Sequence, residues 1–364
     1  MKRELERIDI PGEHDARART WETVRAAFET RERVTWPRRH ARSLALSGAA
    51  VAVVAAAFTS PGKSVVNSVR DAVGREKVVG VTPAHRELVR LPTVGRLLVD
   101  SPRGVWIVNA DGSRRLLGPY HMPSWSAHGR YVAAIGGDAR STLYALDTRG
   151  NVRWAKPRKQ RLASPVWSYE GFRIAYFSDD ALRVIWGNGE HDRGLGSADP
   201  SIAPAWKPHT HVVAWVGDDG DARVMDADGA RPPTRVHAAG RIVALTWTGG
   251  HVRPITARLP AAPGIVTTAA VRTATGETAT VLRRGRHSAV YLGNRILFSG
   301  AGRVDGLQFS PDGRWLLVSW PSADQFVFVR VGAAPKLVAV SNIARQFDPA
   351  ASLPRFPNAG GWSR

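Results

Sequence analysis

From Gly95 to the end of the chain, short apolar runs alternate with turns rich in glycine, aspartate and asparagine. Runs such as Arg173–Phe177 and Phe326–Arg330 have the length and the β-branched and aromatic content that strands prefer. Glycine and aspartate between the runs supply the backbone conformations that tight turns need. The pattern predicts an all-β domain over residues 95–364.

One unit recurs within this region. It reads apolar-Trp-Ser-x-x-Gly, a strand, a second strand ending in Asp-x-x-Gly, and then a third strand. Copies open at Trp125, Trp167, Trp206 and Trp247, and the fullest turn is Pro311-Asp312-Gly313. Recurrence at about 40 residues, with several strands in each copy, is typical of the blades of a β-propeller.

Each signature residue has a structural role in such a blade. The tryptophan or phenylalanine of the opening strand is expected to lie on the innermost strand and to pack between neighbouring blades. A Pro-Asp-Gly turn forms a tight hairpin because glycine tolerates positive φ and aspartate caps its own turn. The 13 tryptophans are therefore interpreted mainly as scaffold.

The segment Phe309-Ser-Pro-Asp-Gly-Arg314 and the Asp-x-x-Gly turns resemble those of the TolB-like, WD40-like (Pro-Asp repeat) family. The turns at Ala127-His128-Gly129 and Tyr169-Glu170-Gly171 are eroded versions of the same signature. The resemblance covers about residues 95–364 and implies a β-propeller. By analogy of fold it also implies protein–protein contact at the cell envelope.

The two ends of the domain predict how the ring closes. Residues 356–364 resemble the opening strand of a blade, whereas Arg96–Asp100 and Val105–Gly112 resemble later strands that lack an opening one. Joining the ends completes one blade and removes free sheet edges.

The number of blades has two interpretations. Seven opening strands can be placed, around Trp125, Trp167, Trp206, Trp247, Val271, Phe309 and Trp362. The copy at Trp247 is abbreviated, so a six-bladed ring with one irregular insertion is the alternative to a seven-bladed ring of four-stranded blades.

A membrane span is predicted ahead of the propeller. Ser43–Gly62 contains no charged residue, and its roughly 20 positions match the length that crosses a bilayer. Its apolar residues run all round a helix, which argues against a buried amphipathic helix. Arg38, Arg39 and Arg42 precede it, so the positive-inside rule places residues 1–42 in the cytoplasm and the propeller outside. The prediction is an uncleaved, single-pass signal anchor.

The tail and the stalk complete the predicted organisation, which is a basic tail (1–42), a transmembrane helix (43–62), a stalk or linker (63–94) and the propeller (95–364). Within the tail, Asp15–Glu32 is rich in helix formers. Trp21, Val24 and Phe28 form a narrow apolar stripe on that helix. The stripe is interpreted either as a membrane-surface contact or as a docking site for a cytoplasmic partner such as a transcription regulator.

Composition limits the chemistry. The chain has no cysteine, which excludes disulfides, thiolate metal sites and a lipoprotein anchor. Its formal net charge of +20 has two interpretations. One is a codon bias that favours arginine, and the other is a role in attracting polyanions. Nucleic acid is the weaker alternative because no nucleic-acid-binding motif is present. The basic clusters Lys156–Arg161 and Arg283–His287 suggest contact with anionic lipid or wall polymer.

No catalytic constellation stands out. A Gly-x-Ser-x-Gly elbow is absent from the sequence. The carboxylate pairs Asp179-Asp180, Asp218-Asp219 and Asp226/Asp228 are interpreted as turn residues, with calcium loops or a glycosidase pair as the alternatives. His209 and His211 could bind a metal but lack obvious further ligands. The sequence predicts no enzyme, with no catalytic, cofactor-binding or metal-binding residues and no cofactor.

Three functions follow from these observations. The leading one is a membrane-anchored, extracytoplasmic scaffold that binds protein partners at the cell envelope. The second is a transmembrane sensor whose N-terminal helix holds a cytoplasmic partner. The third, ranked last, is a propeller enzyme with its active site in the central channel.

Overall fold

The computed structural model describes residues 78–79, 82–85, 87–88, 90–256, 265–272, 277–332 and 336–363. The predicted tail helix and the predicted span 43–62 lie outside these residues. Within the described part of the chain, no helix is both long enough and apolar enough to span a bilayer. Membrane anchoring therefore stays a prediction.

The described chain is almost entirely β-structure, arranged as consecutive antiparallel meanders. A short pair, β1 (Val78–Val79) and β2 (Thr82–Pro83), precedes the ring. The first ring sheet begins with β3 (Arg96–Ser101), β4 (Gly104–Val108) and β5 (Arg114–Gly118). Sheet two comprises β6 (His121–Trp125), β7 (Tyr131–Gly136), β8 (Thr142–Asp147) and β9 (Val152–Pro157). Sheet three comprises β10 (Leu162–Trp167), β11 (Arg173–Ser178), β12 (Ala181–Trp186) and β13 (Arg193–Ser197).

The second half repeats the arrangement, with one short sheet. Sheet four comprises β14 (Ala205–Trp206), β15 (Val212–Val216), β16 (Ala222–Asp226) and β17 (Thr234–Val236). Among the described residues, sheet five comprises β18 (Ile242–Thr248) and β19 (His251–Thr256). Sheet six comprises β20 (Ile265–Arg272), β21 (Thr278–Arg284), β22 (His287–Leu292) and β23 (Arg295–Ala301). Sheet seven comprises β24 (Leu307–Phe309), β25 (Trp315–Trp320), β26 (Gln325–Arg330) and β27 (Leu337–Ser341).

The last strand closes the ring. After the one-turn helix α1 (Ile343–Phe347), β28 (Asn358–Ser363) pairs antiparallel with β3 and completes sheet one in the order β28-β3-β4-β5. Trp362 lies opposite Leu97, and Asn358 lies opposite Asp100. The predicted joining of the two ends is confirmed.

The first strands of successive sheets line the inside of the ring. The strands β28 and β6, β6 and β10, β14 and β18, β18 and β20, β20 and β24, and β24 and β28 are in contact. Trp206 links the remaining pair, because its Nε1 donates to the Val166 carbonyl of β10 at 2.9 Å. Consecutive four-stranded meanders whose inner strands form a closed circle define a β-propeller.

The hydrophobic core lies between neighbouring sheets. One cluster joins Ala133 and Ile135 of sheet two to Ile174 and Tyr176 of sheet three, and equivalent clusters occupy other junctions. Second strands are consequently covered on both sides, and all six residues of β11 are buried. Sheet five differs, because every residue of β19 is exposed or only half-buried.

Residues 85–91, which precede the first ring strand, contact the junction between sheets seven and one. The His85 N–H donates to Ala339 of β27 at 2.8 Å, and the Ser341 N–H donates to the His85 carbonyl at 2.7 Å. Leu88 and Leu91 are 2% and 4% exposed within the core between sheets seven and one. This segment therefore pairs with the outermost strand of sheet seven and contributes to the core between sheets seven and one.

Candidate functional site

The ring has two rims with different turns. The first rim, called here the glycine-turn face, carries the turns between first and second strands and between third and fourth strands. In sheets two to four these turns are residues 126–130, 148–151, 168–172, 187–192, 207–211 and 227–233. The opposite rim, the crossover face, carries the turns between second and third strands and the links between sheets.

Serines shape the turns nearest the centre of the glycine-turn face. In the Ser-x-x-Gly turns, the glycine N–H donates to the serine carbonyl. The serine N–H and Oγ also bond the backbone five residues further on, with the Oγ accepting an N–H. The three matched pairs are Ser126 with Tyr131, Ser168 with Arg173, and Ser310 with Trp315. These bonds fix the backbone that presents the neighbouring side chains.

Exposed apolar side chains concentrate on this face. Among the residues described, seven large hydrophobic side chains are exposed: Val94, Tyr131, Val152, Tyr169, Phe172, Trp186 and Leu353. Six of the seven lie at the glycine-turn end of their sheets, and only Leu353 lies in the link before β28 on the crossover face. Phe172 is 67% exposed and Tyr169 54%. Clustered exposed aromatic residues are typical of interaction surfaces.

Four of these six side chains come from the region around sheet three. Tyr169 and Phe172 belong to the Ser168 turn, and Trp186 ends β12 and stacks on His191 with ring centroids 3.8 Å apart. Tyr131 begins β7 in the adjoining sheet. The glycine-turn end of sheets two and three is therefore the most aromatic described part of the rim.

The Tyr169 turn also contains an unusual carboxylate. Both oxygens of Glu170 are shielded from solvent and have no hydrogen-bond partner among the described residues. Tyr169 lies beside His209 of the next turn, with ring centroids 6.4 Å apart. Desolvation raises the pKa of the Tyr169 phenol, so this hydroxyl is neutral at physiological pH.

The structure groups the predicted metal candidates differently from the sequence. His209 contacts Tyr169, whereas His211 lies with Asp226 and Asp228, their ligand atoms within 4.8 Å of one another. Asp228 is already bound by Arg173, whose Nε donates to Oδ1 at 2.9 Å, and His211 Nδ1 is 3.1 Å from Oδ2. An arginine on the central carboxylate disfavours a cation there, and the group is best described as an ion-pair network between sheets three and four.

The remaining carboxylate pairs lie on the crossover face. Asp179 Oδ1 accepts the Arg161 N–H at 3.1 Å in the β11–β12 turn. Asp219 binds Arg223 at 3.1 Å and Arg235 at 2.5 Å. These contacts account for the carboxylates by turn geometry and ion pairing.

Both predicted basic clusters also lie on the crossover face, but on separate sheets. Lys156–Arg161 joins sheets two and three, and Arg283–His287 spans the β21–β22 turn of sheet six. Arg158 is not available to an external anion, because its guanidinium pairs with Asp192, whose side chain is 6% exposed.

Two features of the site were missed by the sequence reasoning. The serine of the Ser-x-x-Gly turn was treated as part of a signature, although it makes the defining backbone contacts. The exposed Tyr131 and Phe172 were not singled out at all. A usable signal was their position, since each lies within two residues of the turn glycine, Gly129 or Gly171.

No protein-family model matches the chain, and no curated protein matches it. Solved structures do resemble it. TolB from Acinetobacter baumannii is 13% identical, with 74% of this chain and 66% of the TolB chain covered and a TM-score of 0.44. A chain of a mitotic checkpoint complex is 13% identical over 73% of this chain and 85% of its own, with a TM-score of 0.49. A chain of a nidogen/laminin complex is 12% identical over 74% and 97%, with a TM-score of 0.45.

These likenesses concern the fold alone, and this chain spans just under two thirds of the TolB chain that it matches. The assignment as a propeller stands on strand order and ring closure. The β-propeller fold that the sequence resemblance implies is confirmed by that strand order and ring closure.

Proposed function

We propose that this protein is a non-enzymatic scaffold that binds a protein partner on its glycine-turn face. The observation that carries the proposal is that, of the seven large hydrophobic side chains exposed in the described part of the chain, six lie on that face. Burying such side chains contributes about 25 cal/mol per Å² of apolar area, and aromatic residues dominate the energetics of many protein interfaces. The closed ring and the serine-capped turns present them on a rigid frame.

The proposal includes the finer organisation predicted from the sequence. The ring has seven blades, with sheet five as the short one, because β18 contacts both β14 and β20 as an inner strand would.

The anchor 43–62 holds the propeller outside the membrane, at the cell envelope. Reporter fusions active only outside the membrane, placed after Arg364 and before Ser43, test this topology, and a silent C-terminal fusion of a stable protein would overturn it.

Site-specific photo-crosslinking in cells tests the binding face. A photoreactive phenylalanine analogue replaces Phe172 in one strain and Leu353 in another, since both side chains are exposed but lie on opposite rims. The expected result is a discrete crosslinked protein from position 172 and none from position 353. Crosslinking from position 353 alone, or from neither position, would contradict the proposal.

A further inference from the structure

The positive charge of the propeller is concentrated in one part of the ring. Residues 90–364 contain 35 lysines and arginines against 20 aspartates and glutamates. Residues 229–304, which run from the end of sheet four through sheets five and six, contain 11 arginines and a single acidic residue, Glu277. This part therefore supplies most of the ring's excess positive charge, and the remainder of the ring is closer to balanced.

Arginines without counter-charges lie on the crossover face of sheets five and six. Arg283, Arg284 and Arg286 belong to the β21–β22 turn, and Arg241 lies where the link from sheet four meets β18. Within the described residues, none of the four has an ion-pair partner. Glu277 precedes β21 at the glycine-turn end of the sheet, about 20 Å from the β21–β22 turn. We call the four arginines the arginine patch.

The turn that carries three of these arginines is fixed by its backbone. Arg284 pairs with His287 across a two-residue turn, in which Gly285 supplies a positive φ of 56°. The Arg286 carbonyl accepts the N–H of Gly302 from the link that follows sheet six. The side chains of Arg284 and Arg286 are nevertheless exposed. The fold thus holds the backbone still and presents the guanidinium groups to solvent.

The carboxylates on either side of the arginine patch are already engaged. On the sheet-four side, the carboxylates of residues 218–221 pair with arginine and histidine side chains of the same sheet. On the sheet-seven side, Asp305 pairs with Arg303, and Asp324 Oδ1 accepts the Ala344 N–H at 2.8 Å. The patch therefore keeps its positive charge for an external anion.

The arginine patch offers charge without apolar anchors. Of the large hydrophobic side chains that are exposed among the described residues, none lies within residues 229–304. Protein partners are bound mainly through buried aromatic and apolar side chains, which this surface lacks. A layer of anionic lipid headgroups needs no such anchor, because its negative surface potential attracts each nearby arginine. The composition of the patch thus favours a bilayer surface over a protein.

The chain enters the ring beside the patch. His85 pairs with Val340 in the outermost strand of sheet seven, and sheet seven is the neighbour of sheet six. Between the predicted anchor 43–62 and the first described residue lie the 15 residues 63–77. Fully extended, such a segment spans about 50 Å at most. A tether of that length gives the ring a high effective concentration at the bilayer, so that individually weak headgroup contacts become occupied.

We propose that the arginine patch contacts the anionic headgroups of the membrane that carries the anchor. The contact turns the crossover face of sheets five and six toward the bilayer, and it leaves the glycine-turn face free for a protein partner. This inference rests on the anchored topology of the proposed function and adds the surface that orients the propeller.

The test measures which rim of the full-length chain lies at the bilayer. Since the chain has no cysteine, His287→Cys and Asn294→Cys each place one fluorophore on opposite rims of sheet six. The proteins are incorporated into nanodiscs of equal parts phosphatidylcholine and phosphatidylglycerol, with some lipids carrying a quenching nitroxide on the headgroup. Quenching at position 287 should exceed that at position 294 at least about threefold. The difference should disappear in phosphatidylcholine alone and in about 1 M NaCl, where charges are screened beyond about 3 Å.

Matched charge reversals decide which arginines are responsible. In the His287→Cys protein, Arg284→Glu/Arg286→Glu should lower the quenching to its level in phosphatidylcholine alone. Lys159→Glu/Arg161→Glu makes the same charge change at exposed residues on the crossover face of sheets two and three, and it should leave the quenching unchanged. If both reversals lower the quenching equally, the net charge of the ring is responsible and the inference is overturned.

The remaining outcomes separate this inference from the proposed function. Equal quenching at positions 287 and 294 in a chain recovered with its nanodiscs overturns the inference and leaves the anchor standing. If duplex DNA or polyphosphate then binds the unaltered chain but not the Arg284→Glu/Arg286→Glu variant, the patch takes a soluble polyanion instead of lipid. A stable chain that does not insert into nanodiscs contradicts the anchored topology, and the inference fails with it.

Discussion

The indole Nε1 of Trp206 donates a hydrogen bond to the backbone carbonyl of Val166 at 2.9 Å, from the inner strand of sheet four to that of sheet three. Trp247 repeats the contact one sheet further on, to the Ala205 carbonyl at 3.0 Å. In both, the acceptor is the residue just before the preceding sheet's own tryptophan. Trp206 and Trp247 therefore join neighbouring inner strands by a polar contact as well as by packing.

This contact predicts a measurable cost for Trp206→Phe. The substitution keeps an aromatic ring in a site that is 3% exposed, but it removes the donor for the Val166 carbonyl. Loss of one buried hydrogen bond should lower the free energy of unfolding by about 1–2 kcal/mol. Urea denaturation followed by tryptophan fluorescence and circular dichroism measures the change.

Trp167→Phe is the matched control. Trp167 is 7% exposed at the equivalent position of sheet three, and its Nε1 has no hydrogen-bond partner among the described residues. Since no hydrogen bond is lost there, this variant should be affected much less. Equal losses in the two variants would show that the Trp206 hydrogen bond contributes nothing.

A second prediction concerns Asp192, on which groups from sheets two and three converge. Tyr176 Oη donates to Oδ2 at 2.7 Å, Arg183 Nε donates to Oδ1 at 2.9 Å, and Arg158 pairs with the same carboxylate. Asp192→Asn leaves two guanidinium groups without their counter-charge and should cost about 3 kcal/mol. Thermal unfolding should show the loss, whereas Asp219→Asn, which affects a more exposed pair, should change stability much less.

The ring could be predicted from the sequence because its determinants are local. The Ser168-to-Gly171 turn and its copies are each visible within a few residues of sequence, and each half of the divided blade is recognisable because it resembles part of the same repeat. The depth of burial could not be predicted in the same way. Every residue of Arg173–Ser178 is buried because the neighbouring sheets cover both sides, and local alternation does not report on those neighbours.

The site depended on contacts between sheets, which spacing along the chain does not encode. His209 and His211 are two residues apart, yet only His211 meets Asp226 and Asp228, because the β14–β15 and β16–β17 turns lie at the same rim.

A third prediction follows from the turn at Asp312. Partial burial raises the pKa of this carboxyl, but hydrogen bonds from Ser310 Oγ, the Arg314 N–H and Thr93 Oγ1 outweigh it and hold the pKa below its ordinary value. A depressed native pKa gives stability that is present above the ordinary value near 4 and is lost as the pH falls through the native pKa. Asp312→Asn should therefore destabilise the protein at pH 7 and much less at pH 3. Denaturant titrations at the two pH values measure this, and an equal loss at both would refute the linkage.

A fourth prediction concerns Gln346, which fastens the segment before the ring. Its Oε1 accepts the Leu88 N–H at 3.0 Å, and its Nε2 donates to the Ser341 carbonyl at 2.9 Å. Gln346→Ala leaves both backbone groups without these partners and should cost about 1–3 kcal/mol. Hydrogen exchange should quicken first at the amide of Leu88, whose N–H loses its acceptor, while the exposed Gln160→Ala should leave that rate unchanged.

The last prediction concerns ring closure. Ending the chain after Pro357 removes β28, and with it the partner of β3 and the contact of Trp362 with Phe328 at a ring-centroid distance of 5.8 Å. Leu97, fully buried in the native ring, then loses the strand that covers it, and β3 becomes an unpaired edge. The truncated chain should unfold without a cooperative transition and should aggregate. Because the missing strand makes mainly backbone bonds to β3, a synthetic peptide of residues 354–364 should restore cooperative unfolding when added in excess, and a scrambled peptide should not. A truncated chain that unfolds as cooperatively as the full-length protein would show that the ring does not depend on this pairing.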